Sequence, residues 1–294
     1  MVMVDSRNIT LSEALNEEEQ AVFSSVTPET AFHDKGSVVC EGTSSEFYQY
    51  PLETEERFSV KHTEKTDRLL PTSVFRRVLG FLVYFGLAIP LLILMNKLYF
   101  GLKYVGRKKI KELSKKQRGF VVTCNHIHPM DCTWMGTLVS PRKMVYTSME
   151  GNFKIPFVGP AIRFFDCVPI NTTIKGLRNF MNEMTDAVKK GRVVGVYPEG
   201  GIELYCEHLR KFSDGAFAIA VDADAPVLPV VITQRESKGL WKLLGRKSCV
   251  TITVGTAVYP KDCGTHRKTV HKLRETVEIE MNHLLSISSN SNLV

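Results

Sequence analysis

His126 and Asp131 stand five residues apart in Asn125-His126-Ile127-His128-Pro129-Met130-Asp131, directly after the apolar run Phe120-Val121-Val122-Thr123-Cys124. An imidazole serves as a general base near neutral pH when a carboxylate fixes its tautomer and stabilises the imidazolium that forms. The loop leaving a strand end is where α/β enzymes mount such groups. The spacing therefore predicts a base, His126, and its orienting carboxylate, Asp131, in the first turn of the following helix. No Gly-x-Ser-x-Gly occurs in the chain, so a serine nucleophile on a strand-to-helix elbow is not indicated and a substrate hydroxyl would be activated directly. Cys124 and Cys132 flank the pair, but Cys124 ends an apolar strand and reads as a small buried filler. His128 opens a competing reading, a metal site built from His126, His128 and Asp131 for hydrolysis of a lipid. No second cluster of ligand spacing supports it, and His128 reads as a loop histidine beside Pro129.

A second segment, Val193-Val194-Gly195-Val196-Tyr197-Pro198-Glu199-Gly200-Gly201, runs from an apolar strand into small residues. Glycines at a sheet edge let backbone N–H groups approach an oxyanion or phosphate, and a carboxylate there can accept from a hydroxyl or anchor a basic ligand.

Four ordered segments, Ile155 to Pro160, Val168 to Asn171, Val194 to Gly201 and Ala225 to Val230, joined to Asn125-His126-x4-Asp131, resemble the blocks of the glycerolipid acyltransferases of the lysophosphatidic acid acyltransferase type. The resemblance covers about residues 106 to 260. It implies acyl transfer from acyl-CoA or acyl carrier protein to the hydroxyl of a lysophospholipid, with His126 and Asp131 catalytic and Glu199, Gly200 and Gly201 at the acceptor. It implies neither a metal nor a bound cofactor. Lys211-Phe212-x-x-Gly215-Ala216 continues the likeness, with Lys211 a candidate substrate ligand. Two positions depart from it. Asn171 and Ile202 stand where the family commonly has arginines that hold the acceptor phosphate, so another lysophospholipid is an alternative acceptor, with Asn171 still at the binding position. A fold retained without chemistry, as a membrane adaptor, is the non-enzymatic alternative.

The elements that must position these groups follow from periodicity. Near-continuous apolar runs predict strands at 119–124, 192–197 and 226–232, all suited to the centre of a sheet, with further strands at 143–148, 167–170 and 249–258. Helical spacing predicts helices at 130–138, 156–165, 174–190, 213–222 and 267–285, with Met181 and Met184 as core filler. The expected class is α/β, a central mixed β-sheet flanked by helices, preceded by an N-terminal membrane-embedded helical segment.

Charge divides the chain. Residues 1 to 70 carry fourteen acidic and six basic side chains, and the remaining residues 17 acidic and 32 basic, from totals of 31 and 38. Residues 1–70 read as a polar, disordered tail with no signal-peptide pattern. Residues 71–105 read as a membrane-anchoring segment. Its stretch from Val78 to Met95 holds no charge, and Pro90 is expected to kink one spanning helix or split it into two helices within one leaflet. Residues 106–290 form the acyltransferase domain. Nine basic residues against the single acid Glu112 lie between Lys97 and Arg118. Such a cluster suits an anionic lipid surface and marks the cytoplasmic face, and without aromatic platforms it does not suit nucleic acid. Seven cysteines without a CxxC pair argue against a disulfide framework and fit a reducing compartment.

Overall fold

The computed structural model describes residues 74–290 apart from 157, 158, 160, 161, 163, 164, 171, 172 and 247. The polar tail, most of the helix expected at 156–165, and Asn171 lie outside the described residues.

Seven strands form one sheet: β1 (Lys103–Val105), β2 (Phe120–Cys124), β3 (Met144–Met149), β4 (Cys167–Ile170), β5 (Val193–Val196), β6 (Val227–Glu236) and β7 (Ser248–Val254), in the order β1-β7-β6-β2-β5-β3-β4. The run β6-β2-β5-β3-β4 is parallel, β7 is antiparallel to β6, and β1 is parallel to β7, so the sheet is mixed as expected. The three most apolar runs hold the centre, where both faces are covered: β2 is buried throughout, and Val193 and Val227 through Ile232 are buried with it. Alternate residues point to opposite layers. Val121, Val194 and Val227 pack under α5 (Ile174–Lys189), α6 (Gly215–Asp222) and α8 (His266–Asn290), with Met181 and Met184 buried there. Phe120, Val122 and Leu228 pack on the other side with α3 (Lys108–Lys116) and α4 (Asp131–Val139).

β1 and α3 were not legible as elements. The three-residue strand has no apolar run, and α3 is so basic that only Ile110 and Leu113 are buried from it. Two of the nine basic residues are occupied within the protein. Arg107 donates to the carbonyls of Thr137, Leu138 and Ser140, each at 3.0 Å, where the C-terminus of α4 leaves acceptors unpaired, and Lys109 Nζ donates to Val254 O at 3.1 Å.

Pro90 neither splits nor ends the apolar helix. α1 (Val74–Val83) runs into α2 (Ile89–Phe100) through a widened π turn at Tyr84–Ala88, where Ile89 N–H bonds Tyr84 O. A proline ring collides with the carbonyl four residues back, here Gly86, and the widened turn contains that residue. Val78–Phe100 is long and apolar enough to cross a membrane, with mean hydropathy 2.5. One side of it is docked on the domain. Tyr84, Ile89 and Asn96 are buried, Asn96 Nδ2 donates to Thr137 Oγ1 at 3.3 Å, and Phe100 meets the rings of Trp134 and His128 at 5.0 and 5.3 Å. The opposite side presents Phe81, Leu87, Leu91, Leu94 and Leu98.

Candidate active site

β2 ends at Cys124, and the next residue continues its pairing through a side chain. Asn125, buried, donates from Nδ2 to Ile232 O at 2.9 Å and accepts from Ile232 N at 2.7 Å, so its amide mimics one more peptide of the ladder between β2 and β6. The backbone is thereby released to turn while staying fixed to the sheet, and His126 emerges at the carboxyl end of the parallel strands.

Asp131 opens α4 and is fully buried. Its Oδ2 lies 3.0 Å from His126 Nδ1 and accepts the backbone N–H groups of Ile127 at 2.8 Å and His128 at 3.0 Å. Three donors on one oxygen keep the carboxylate in place without solvent. An Nδ1–H donated to Asp131 leaves Nε2 of His126 as the basic nitrogen, and the ring is a quarter exposed, so a substrate can reach it. The far face of the ring is covered by Tyr197, stacked at 4.2 Å between centroids and 17° between planes.

Tyr197 begins the glycine segment, and the structure gives Glu199 an internal task. Its side chain is 2% exposed; Oε2 accepts from His126 N at 3.2 Å and from Arg210 Nη2 at 2.9 Å, and Oε1 accepts from Arg210 N at 3.3 Å. Both oxygens are engaged, and Glu199 acts as a strut between the loop that carries His126 and the segment around Arg210. The two loops are also joined by backbone, Glu203 N–H to His126 O and Tyr205 N–H to Ile127 O, both at 3.0 Å. Gly200 adopts φ +73°, which disfavours any residue with a Cβ, and its N–H closes a turn on Tyr197 O at 3.1 Å. Among the described residues the Gly201 N–H, unlike that of Gly200, makes no hydrogen bond. Lys211 is exposed beside Arg210.

The structure thus brings His126, Asp131, Glu199, Gly200 and Gly201 into one site. Sequence reading missed Arg210 as the partner of Glu199, and the eleven-residue separation gave no local signal. It also missed Tyr197, although an aromatic directly before the glycine turn was visible.

His128 faces a different way. Its Nδ1 accepts from Met130 N at 3.1 Å, and its ring stacks on Trp134 at 4.9 Å. Burial lowers its pKa, with Asp131 pulling the other way. Among the described residues no three His, Cys, Asp or Glu side chains come together as a metal site. The Cys124 thiol is pushed well up, first by burial and then by the carboxylates of Asp131 and Glu199, and Cys132 is raised to about 11 by desolvation and Asp131. Both shifts disfavour the thiolate that a cysteine nucleophile needs, although only Cys124 is buried and Cys132 is exposed at the surface.

Residues 103–233 match the family described as Acyltransferase. A 1-acyl-sn-glycerol-3-phosphate acyltransferase of Bacillus subtilis (strain 168) is 24% identical over 152 residues, covering 52% of this chain and 73% of its own. A solved structure, the 1-acyl-sn-glycerophosphate (LPA) acyltransferase PlsC from Thermotoga maritima, aligns with TM-score 0.45 and 22% identity over 71% of this chain and 96% of its own.

Proposed function

We propose, from the premise that residues 103–233 form an acyltransferase-family domain, that this chain esterifies the sn-2 hydroxyl of 1-acyl-glycerol-3-phosphate with a fatty acyl group from acyl-CoA or acyl carrier protein, forming phosphatidic acid. The observation that carries the reading is the His126–Asp131 pair, with Oδ2 held by three donors and the His126 ring a quarter exposed. His126 Nε2 takes the proton from the acceptor hydroxyl as its oxygen attacks the thioester carbonyl carbon. The carbon–sulfur bond then breaks, and the departing thiolate receives that proton from the imidazolium. The products are the new ester and the free thiol. Asp131 stabilises the imidazolium between the two transfers.

The Gly201 N–H and Lys211 are the groups assigned to the acceptor's phosphate or to the developing oxyanion. Support for the lysophosphatidic acid acceptor comes from the Bacillus relative, whose name states that substrate. The exposed apolar side of α1 and α2 lies in a bilayer on the cytoplasmic face. Phe100 at its end meets His128, two residues from the base, so a lipid held at the surface would reach His126 without leaving the membrane.

The test is transfer of labelled acyl groups from acyl-CoA to a panel of lysophospholipids presented in vesicles. The expected result is a preference for lysophosphatidic acid, with His126→Ala losing about 10² to 10⁴ in rate while remaining folded and vesicle-bound. Near wild-type turnover by His126→Ala would refute the catalytic assignment. Preference for a larger head group would refute the acceptor alone.

A further inference from the structure

β6 does not stop where its parallel neighbour does. Cys124, the last residue of β2, pairs with Val230, and β6 continues to Glu236 before turning into β7. At about 3.3 Å per residue, the six residues beyond Val230 carry the β6–β7 connection roughly 20 Å past the end of β2, on the end of the sheet where His126 emerges.

The connection is unlike a solvated turn. It contains the short helix α7 (Leu240–Leu243), which buries none of its residues, and Leu240, Leu243 and Leu244 are 56%, 84% and 62% exposed. Residues 237–246 carry Lys238, Lys242 and Arg246 and no acid. Exposed leucines next to an aromatic residue and lysines form the pattern of a segment at a membrane–water boundary.

The turn is also fastened to the end of the apolar helix. Arg246 lies over the Tyr99 ring at 4.0 Å, Arg235 Nη2 donates to Gly101 O at 2.6 Å, and a Cβ on Gly101 would come within 3.2 Å of Trp241. The turn therefore adjoins the end of α2, where Leu98 and Tyr99 are both more than half exposed.

We propose that residues 237–246 are a second bilayer-contacting element, which seats the catalytic end of the sheet on an anionic lipid surface. The inference rests on the membrane reading of α1 and α2. An anionic surface is the occupant that matches the exposed Lys238 and Lys242, with Arg246 over the Tyr99 ring and Glu236 the nearest acid in sequence, and the attachment to the end of α2 places it in the same plane.

Trp241 reports on it directly, because the other tryptophan, Trp134, is buried. The full chain is mixed with vesicles of phosphatidylcholine carrying brominated acyl chains, with and without phosphatidylglycerol. Sedimentation measures binding, and tryptophan quenching measures depth. The expected result is strong quenching that Trp241→Phe abolishes, and an apparent partition coefficient lowered about tenfold by Leu243→Glu with Leu244→Glu. Lys238→Glu with Lys242→Glu should weaken binding to the anionic vesicles more than to the neutral ones. Sedimentation without quenching at Trp241 would overturn the proposal and leave the membrane reading standing. Failure to sediment would remove both. A blue shift of Trp241 that grows with protein concentration in the absence of vesicles, without quenching when they are added, would assign the surface to a second copy and overturn the lipid assignment.

Discussion

Replacing Asp131 by Asn separates the charge of this carboxylate from its geometry. The asparagine carbonyl can still accept from the N–H groups of Ile127 and His128, which Oδ2 now receives at 2.8 and 3.0 Å, so the loop keeps its shape. What disappears is the attraction between the carboxylate and the imidazolium formed in the transition state. Charges about 4 Å apart attract by about 4 kcal/mol at an effective dielectric constant of about 20. His126 is a quarter exposed, and solvent screening trims this to about 3 kcal/mol. At 1.36 kcal/mol per decade, kcat should fall by about 10² to 10³. The companion Asp131→Ala also orphans two buried N–H groups at about 1 to 3 kcal/mol each, and so should lose stability as well as rate. The assay pairs single-turnover acyl transfer at saturating acceptor with the urea midpoint of each variant. If Asp131→Asn kept more than a tenth of the wild-type rate, the imidazolium would not be stabilised by this carboxylate and the general-base scheme would be wrong.

Glu199→Gln tests the strut against a ligand role: it should lower stability by about 2 kcal/mol by leaving Arg210 without its buried partner, and it should couple with Arg210→Gln in a double-mutant cycle. A raised acceptor KM with unchanged stability would make Glu199 a substrate ligand instead. Lys211→Ala should raise the KM for lysophosphatidic acid about tenfold while leaving that for the acyl donor unchanged, measured by varying each in turn. For His128, whose pKa burial lowers, the unfolded chain binds more protons between the lowered value and 6.5. That contribution to stability is complete above pH 6.5 and is lost as the pH falls through the window. His128→Phe, which preserves a ring against Trp134, should flatten this part of the pH dependence in thermal unfolding, and an unchanged profile would refute the assignment.

The sequence was legible where the determinants are near one another along the chain. His126 and Asp131 are five residues apart, so the turn that brings Nδ1 to Oδ2 is made within one loop, and the pair could be read before any fold was known. The central strands were legible because a strand buried on both faces must be apolar at nearly every position, which marks β2, β5 and β6. Long-range pairing left no such trace. Asn125 and Ile232 are 107 residues apart, and nothing near either residue announces that a side-chain amide will take a place in the ladder. The docking of α2 left one mark: Asn96, a polar residue directly after eighteen uncharged ones, which is buried against α4.

The same distinction bears on the acceptor. Read along the chain, the neutral Asn171 and Ile202 remove cations from the expected phosphate site, and Lys154, Lys175, Arg178, Arg210 and Lys211 are all open as replacements. In space, Arg210 is already committed: Nη2 bonds Glu199 Oε2 and Gly201 O, and Nε stands 3.5 Å from Glu203 Oε2. A guanidinium between two carboxylates has most of its charge balanced, and a phosphate approaching it would meet both acids as well. Under the proposed reading, head-group recognition among the described residues on this side of the site is assigned to the exposed Lys211 and to the Gly201 amide, which are weaker anchors than a pair of arginines. On that reading, the described residues of the site offer little uncommitted positive charge, and the proposed acceptor would depend more on the bilayer for its delivery and orientation. Under the two proposals taken together, that is a physical reason for the apolar helix and the leucine-bearing turn to flank the end of the sheet from which His126 emerges.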